Sequence, residues 1–410
     1  MCLREYYAFG QVSLGDFMKK TLNDIDVAGK RVLLRVDFNV PLSADLKIVD
    51  DNRIVESIPT IQYLVSHNAK VIICSHLGRP EGAINTKMSL RPVVARLSRL
   101  MQKDIMFIED VKDDNCIKQL EKLGEGEIAI LENIRFYKEE EANSAEFSKH
   151  LASLADIYVN DAFATAHRKH SSTYGVAKLL PNAVGLLMEK ELEMFDKVLT
   201  EPERPFVAVL GGGKISDKLP VIEHLLDKVD TILIGGGMSY TFVKAIGGEV
   251  GQSIVDNKSL ELAKETLDKA EAKGVKVILP CDNFGAHDFS ATAERKCFNS
   301  GFFAKDFQGM DIGPRTTKTF KHIIKDAKTI VWNGPMGVYE FPKFRRGTRK
   351  IAKYIAKSKA ISIIGGGDTV ASVQDLGLEN KITHISTGGG ASLMLLQGKE
   401  LPCVKVIQDK

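Results

Sequence analysis

Short apolar runs recur along the chain, and between them lie stretches with a helical apolar period. RVLLRVDF (31–38), KVIICSH (70–76), EIAILEN (127–133) and DIYVNDAF (156–163) are such runs in the first half. FVAVLGGG (206–213), TILIGGG (231–237), KVILP (276–280), TIVWNG (329–334) and AISIIGGG (360–367) follow in the second. Runs this short, apolar on successive residues, predict strands buried on both faces. DNKSLELAKETLDKAEAKG, by contrast, places Leu260, Ala263, Leu267 and Ala270 on one helical face and stops at Gly274. Alternation of such strands and helices predicts an α/β fold, with parallel sheets covered by helices on both faces. In these folds ligands bind beyond the carboxyl ends of the strands. A further helix is expected over AVGLLMEKELEMFDKVLT (183–200), with Met188, Leu192, Phe195 and Leu199 in one stripe and a Glu193–Lys197 pair. It ends at EPERP, where prolines forbid continuation. It is either a stiff connector between two αβ sets or an ordinary crossover helix.

Length favours two sets. A chain of 410 residues exceeds one ordinary core and favours two domains of roughly 150–200 residues. The predicted division is an extension over 1–17, a domain over 18–185, a linker helix over 186–203, a second domain over 204–395 and a terminal segment over 396–410. With 44% hydrophobic and 27% charged residues, the composition is that of a globular protein. A formal charge of +3 gives a nucleic-acid partner no bulk electrostatic support. No apolar run approaches the roughly 18 residues of a membrane span, and the N-terminus lacks a basic head followed by an apolar core. Six scattered cysteines without a CxxC read as reduced thiols, so the expectation is a cytoplasmic protein without nucleic-acid or membrane partners.

Candidate chemistry differs between the halves. Glycine triplets occur at 211–213, 235–237, 365–367 and 388–390, all in the second half. Glycine lets backbone N–H groups approach an anion, and a following helix N-terminus favours negative charge. Tight helix–strand packing is the better explanation of one triplet; four together point to phosphate. The chain has no GxxxxGK[ST], no GxGxxG after a strand and no protein-kinase HRD set. It has LGGGKISDKLP, with Lys214 and Lys218 four residues apart beside a triplet and a helix expected from about Ile215 or Ser216. Asp368, after GGG, can cap a helix or hold a Mg²⁺ ion on nucleotide phosphates, with Thr369 offering its N–H and hydroxyl. NGPMGVYE adds Asn333, Val338 for an apolar base pocket and Glu340 for ribose hydroxyls.

The first half carries Asp37, Asn39, Arg53, His76, Arg79, Arg135, His167, Arg168 and His170 instead, mostly just after the strands. Singly, each arginine reads as a surface ion pair. Together, forked guanidiniums suit a small, multiply anionic molecule, and Asp37 or Asn39 could accept from a hydroxyl or orient an arginine. Two lobes with two anionic ligands imply closure that excludes water during transfer.

RVLLRVDFNVP, SHLGRP, ENIRF, VNDAFATAHR, GGGKISDK, NGPMGVYE, GGGDT and STGGGASL, in this order, resemble the phosphoglycerate kinase family from about Met18 to the C-terminus. The resemblance implies two Rossmann-like domains joined by a helical hinge, with the chain end returning to the first. It implies phosphoryl transfer between ATP and the carboxylate of 3-phosphoglycerate, giving ADP and 1,3-bisphosphoglycerate, with Mg²⁺ and as a monomer. Asp37, Asn39, Arg53, His76, Arg79, Arg135 and Arg168 would hold the phosphoglycerate. Gly213, Lys214, Lys218, Gly309, Asn333, Val338, Glu340, Gly366, Gly367, Asp368 and Thr369 would hold the nucleotide, with Asp368 on the metal. Arg53, Lys214, Gly366 and Gly389 would surround the moving phosphoryl. Ala164 and Gly213 stand where the family usually has glycine and alanine, and Tyr339 where it has phenylalanine. Residues 1–17 have no counterpart and are expected to add little function. A nucleotide sensor that kept the fold would lack charged transfer residues, and none is missing. A dehydrogenase would need the absent dinucleotide fingerprint.

Overall fold

The structure, a computed structural model, describes residues 18–410; the expectation for residues 1–17 lies outside the described residues. The chain forms two compact units, one running to Glu193 and including Lys399–Lys410, the other Met194–Gly398.

In the first unit the strands are β1 (Arg31–Arg35), β2 (Lys70–Cys74), β3 (Ile105–Ile108), β4 (Ile128–Leu131), β5 (Ile157–Asn160) and β6 (Asn182–Val184). Helices α1 (Asn52–Ser66), α2 (Arg91–Met101), α3 (Asp114–Leu120), α4 (Lys138–Glu141) and α5 (Ala145–Ser153) lie between them in sequence. The strands pair in parallel, in the order β3-β4-β2-β1-β5-β6. Both faces are covered. Val32, Leu34, Val71, Ile73, Ile130 and Val159 join one core cluster, while alternate residues such as Leu33, Ile72, Ala129 and Tyr158 are equally inaccessible. Double burial is what the unbroken apolar runs encode, each aliphatic side chain contributing about 1.5–3 kcal/mol.

Helix α6 (Leu186–Thr200) carries the chain from one unit to the other. The helix expected from residue 183 begins later, because Ala183 and Val184 belong to β6. Asp161 fixes the start: its Oδ1 accepts from the N–H groups of Leu187 (2.9 Å) and Met188 (3.1 Å). The expected stripe is buried, Met188, Leu192, Phe195 and Leu199 alike.

The second unit contains β7 (Phe206–Leu210), α7 (Leu219–Leu225), β8 (Thr231–Ile234), α8 (Met238–Ala245), α9 (Leu260–Ala272) and β9 (Lys276–Ile278). A three-stranded antiparallel insert follows, β10 (Asp282–Ala286), β11 (Lys296–Asn299) and β12 (Gln308–Ile312), in the order β11-β10-β12. Then come α10 (Pro314–Asp326), β13 (Thr329–Asn333), α11 (Arg346–Ile355), β14 (Ile361–Gly365), α12 (Gly367–Gln374), β15 (His384–Ile385) and α13 (Gly390–Leu396). The main sheet is parallel, ordered β15-β14-β13-β7-β8-β9. Its strand order reverses at β7, which lies between β8 and β13, so loops after β7 and β13 flank a crevice of the kind that binds ligands. Helix α14 (Pro402–Lys405) belongs to the first unit, where the Cys403 N–H donates to Ala166 O (3.1 Å). Among the described residues no helix is long and apolar enough to cross a membrane.

Candidate active site

Every predicted arginine and histidine of the first unit, Arg53 excepted, follows the carboxyl end of a strand of its sheet. The chain after β1 turns at Asp37, whose buried carboxylate pairs with Arg53 at the start of α1 and lies 3.8 Å from His76 Nδ1. Asp37 therefore orients an arginine, one of the two roles open to it. Asn39 Oδ1 accepts from the Gly78 N–H (2.8 Å), and Arg135 Nη1 donates to Gly78 O (2.9 Å). The SHLGRP turn is thus held from both sides, and Arg79 projects from it exposed, with no recorded ion pair or hydrogen bond among the described residues. Arg135 is 5% exposed, and its Nε finds no hydrogen-bond partner although Glu141 lies 3.2 Å away. Burial holds its pKa below the ordinary arginine value. Arg168 Nε donates to His167 Nε2 (3.0 Å), and His167 Nδ1 is buried without a partner. Orphaned buried donors beside half-exposed guanidiniums suit an anionic ligand.

Burial, followed by the charges of Arg35, Arg135, Arg53 and Arg168, pushes His76 well below its ordinary pKa, so it is neutral at pH 7. His170 is lowered to about 4 by burial and by Arg135, Arg35 and Arg168.

Two residues beneath this cluster were not singled out from the sequence. Arg35, 1% exposed, donates to Ser172 Oγ (2.9 Å) and lies 3.3 Å from His76 Nδ1. Glu140, fully buried, accepts from the Ser172 N–H (2.9 Å) and hydroxyl (2.6 Å). Burial raises its pKa, and Arg35 is the strongest opposing influence. The only sequence signal was a charged residue at the end of an apolar strand run, Arg35 in RVLLRVDF. Glu140 lies in a run of three glutamates and carried none.

In the second unit the glycines pack backbone on backbone. The Gly211 N–H donates to Asn333 O (3.0 Å) and that of Gly212 to Pro335 O (2.9 Å). A side chain at Gly211 would overlap the Pro335 carbonyl, and one at Gly334, where φ is +96°, would overlap Gly211. Gly213 meets nothing within 4 Å, so the alanine usual at this position also fits.

Helix α7 begins at Leu219, later than expected, because Ile215 turns into the core at 1% exposure. Lys218 is consequently the residue before the helix, not within its first turn. Its Nζ donates to Asn333 Oδ1, bringing together two residues that the sequence offered separately. Burial lowers its pKa to about 8. Lys214 is exposed.

Asp368 is not the helix cap. Gly366, at φ +96°, precedes α12, and Asp368 is the second helical residue, with no recorded side-chain capping bond. Its pKa is raised by burial and then by the charge of Glu340. Two neighbouring exposed carboxylates match the donor chemistry of a divalent cation. The first-turn N–H groups of α12 have no intrahelical acceptor. Thr369 departs from expectation: it is wholly buried, and its hydroxyl accepts from the Gly334 N–H (2.8 Å), so it fixes the neighbouring loop. Gly389, at φ +47°, precedes α13, and a side chain there would meet nothing.

Val338 packs partly buried against Met310 and Phe344, and Glu340 is exposed. Gly309 lies in β12, its N–H donating to Ser253 Oγ (2.8 Å), where any side chain would strike Tyr240. Tyr339 gains a bond that phenylalanine cannot make, its hydroxyl donating to Asp375 Oδ2 (2.5 Å). Asp311, unnoticed in the sequence, is buried with its pKa raised and accepts from the N–H groups of Ile312 (2.9 Å) and Gly347 (2.8 Å).

Comparison with known proteins gives the family. The family model described as phosphoglycerate kinase matches residues 22–399. The chain is 53% identical to the phosphoglycerate kinase of Dictyoglomus turgidum, covering 96% of this chain and 100% of that one. It is 52% identical to that of Clostridium kluyveri, again over 96% of this chain and 100% of the relative. Among solved structures, phosphoglycerate kinase from Coxiella burnetii superimposes with a TM-score of 0.86 at 41% identity, covering 95% of this chain and 98% of that one. The enzyme from Pyrococcus horikoshii gives 0.82 at 36%, over 94% and 98%. An arginine cluster on one parallel sheet, glycine loops on another and relatives matched over nearly their whole length lead to one conclusion: the chain belongs to the phosphoglycerate kinase family.

Proposed function

We infer that the protein transfers a phosphoryl group reversibly between ATP and the carboxylate of 3-phosphoglycerate, the glycolytic reaction that generates ATP in the reverse sense. The observation that carries this reading is the cluster around His76. Arg53, Arg135 and Arg168 gather about a neutral imidazole, with a buried guanidinium nitrogen left unpaired, a setting for a small phosphate ester. The second unit complements it with glycine loops, Lys214 and the Lys218–Asn333 pair for a nucleotide.

The acceptor needs no base. A carboxylate with a pKa of about 3.5 is already ionised at neutral pH, so no side chain has to remove a proton. What remains is alignment and positive charge at the equatorial oxygens of the moving group. Arg53, held by Asp37, and Lys214 supply charge, and backbone N–H groups at Gly366 and Gly389 supply neutral donors. Lys218 neutralises phosphate oxygens, and Asn333 positions Lys218. Asp368, with Glu340 beside it, would hold Mg²⁺, which supplies Lewis-acid neutralisation of the nucleotide phosphates. The protein acts as a cytoplasmic monomer in this reading.

Calorimetric titration of 3-phosphoglycerate tests the first unit directly. Saturable one-site binding, weakened at least tenfold by Arg135→Ala, is expected. Equal binding by wild type and that variant would contradict the assignment.

A further inference from the structure

The net charge of the chain conceals a strong polarity. Between Pro314 and Lys359 thirteen lysines and arginines face two acids, Asp326 and Glu340, although the chain as a whole is only +3. The remainder is therefore net acidic, and the excess lies on two neighbouring helices. Helix α10 turns Thr316, Thr317, Phe320 and Ile324 inward, and α11 turns in Gly347, Thr348, Ile351, Ala352 and Ile355. Lys318, Lys321 and Lys325 form an exposed row on α10; Arg346, Lys350 and Lys353 on α11, with Lys357 just past its end, form another. Lys321 Nζ sits 5.8 Å from the Tyr354 ring centre, so the first row runs along the edge facing the second helix. With packed helices about 8–10 Å apart, the rows form one face.

Among the described residues none of these seven makes a salt bridge. Helix α9 of the same unit shows the ordinary alternative. Its LELAKETLDKAEA alternates acids and bases, and Lys269 pairs with Glu223 at 2.8 Å. Like charges three or four residues apart each cost a few tenths of a kcal/mol, so the basic rows stand against local helix stability. Solubility is served as well by mixed charge, which leaves a polyanionic partner as the reason for the single sign.

We propose that the α10–α11 face binds the phosphate backbone of a nucleic-acid duplex without reading its sequence. A duplex presents about one charge per 1.7 Å, the densest array available to two cationic rows, and release of its counterions drives binding. Single strands are held largely by stacking on aromatic rings, and Tyr354, the only aromatic between the rows, is half-buried beneath Lys321. An anionic membrane would be engaged by inserted apolar side chains, and none of the exposed large apolar residues lies between 314 and 359. This face uses no residue assigned above to either substrate, so the inference stands apart from the proposed reaction.

The test is fluorescence anisotropy with a labelled 30-base-pair duplex of random sequence, from 50 to 200 mM salt, with saturating MgADP present. Wild type should bind with a dissociation constant of about 1–100 µM near physiological salt. The Lys321→Glu, Lys350→Glu, Lys353→Glu triple variant should bind at least tenfold more weakly. The slope of log affinity against log salt should fall by about 2.7, about 0.9 for each lost contact. Kinase turnover of that variant, expected unchanged, verifies its fold, and the corresponding triple glutamine variant gives a milder substitution of the same sites. Absence of duplex binding, an affinity indifferent to these substitutions, or loss of binding on adding MgADP would overturn the proposal. So would tighter binding to a single strand of equal length, or to vesicles containing anionic lipid.

Discussion

Lys218 is a partly buried cation whose charge is conditional. Its pKa of about 8 lies below the ordinary lysine value because burial penalises the ammonium, and Asn333 offers it only a neutral oxygen. Phosphate favours the charged form, so above pH 8 nucleotide binding must take up a proton. MgADP affinity should fall by up to about fivefold between pH 8 and 9 and be nearly level between 6.5 and 7.5. Lys218→Arg should flatten that dependence, because guanidinium does not titrate there. A flat wild-type profile from pH 7 to 9, measured by calorimetry, would contradict the role. Arg53 and Lys214 differ in surroundings, one paired with Asp37 and the other exposed, yet both are assigned to the moving phosphoryl. Replacing either with alanine should lower kcat by roughly 10²-fold, the usual cost of losing a transition-state donor. Wild-type turnover in steady-state kinetics would remove the residue from the mechanism.

At the scale of elements, close backbone approach and buried capping do most of the positioning. Gly211 and Gly213 are two residues apart in one triplet but answer to different constraints. Gly211→Ala forces apart the loops after β7 and β13 and should cost about 1–3 kcal/mol in chemical denaturation. Gly213→Ala should be neutral, or stabilising by up to about 1 kcal/mol, because its side chain enters open space. Equal destabilisation by both would show that the triplet is needed for another reason. Asp161 is the buried counterpart at α6. Burial raises its pKa to about 6, against opposition from Thr60 and the N–H groups it accepts from. The folded state thus retains a proton that the unfolded chain releases near pH 4, and this contribution to stability is lost as pH rises from 4 to 6. Asp161→Asn should gain about 2 kcal/mol relative to wild type across that interval, compared by denaturation at both ends. No change in the difference between the two proteins would refute the assignment.

The elements also show what the sequence could disclose. Nine strands were legible because each reads as an unbroken apolar run; eight are buried almost throughout, and β9, at the sheet edge, only in part. Each was read too long, since DFN, SH, EN and GGG continue the polarity pattern past the last ladder bond. The antiparallel insert of β10–β12 escaped because DNFGA, KCFN and QGMDI mix polar residues and glycine with few aliphatics. Strand β15 is only two residues long and leaves no pattern. The site residues were legible through position, following strands, and through the family resemblance. Their division of labour was not. That Lys218 holds Asn333, that Thr369 serves Gly334, and that Arg35 and Glu140 share Ser172 all depend on contacts between residues more than thirty positions apart.

For the whole molecule, the proposed reading gives the two sheets opposite solutions to anion binding, as follows. The first unit uses side-chain guanidiniums held in a partly buried cluster, where a neutral His76 adds no repulsive charge of its own. The second uses backbone N–H groups and glycine, with lysines at the rim and carboxylates for a cation. A net charge of +3 describes neither unit. The central claim is that both sites serve one reaction. The most direct measurement is turnover of the purified protein with MgATP and 3-phosphoglycerate, the acyl phosphate being drained by a coupled NADH-consuming step. Loss of NADH that requires both substrates and Mg²⁺, and falls roughly 10²-fold in Arg53→Ala, is the predicted result. A folded protein that binds nucleotide but consumes no NADH with all components present would contradict it.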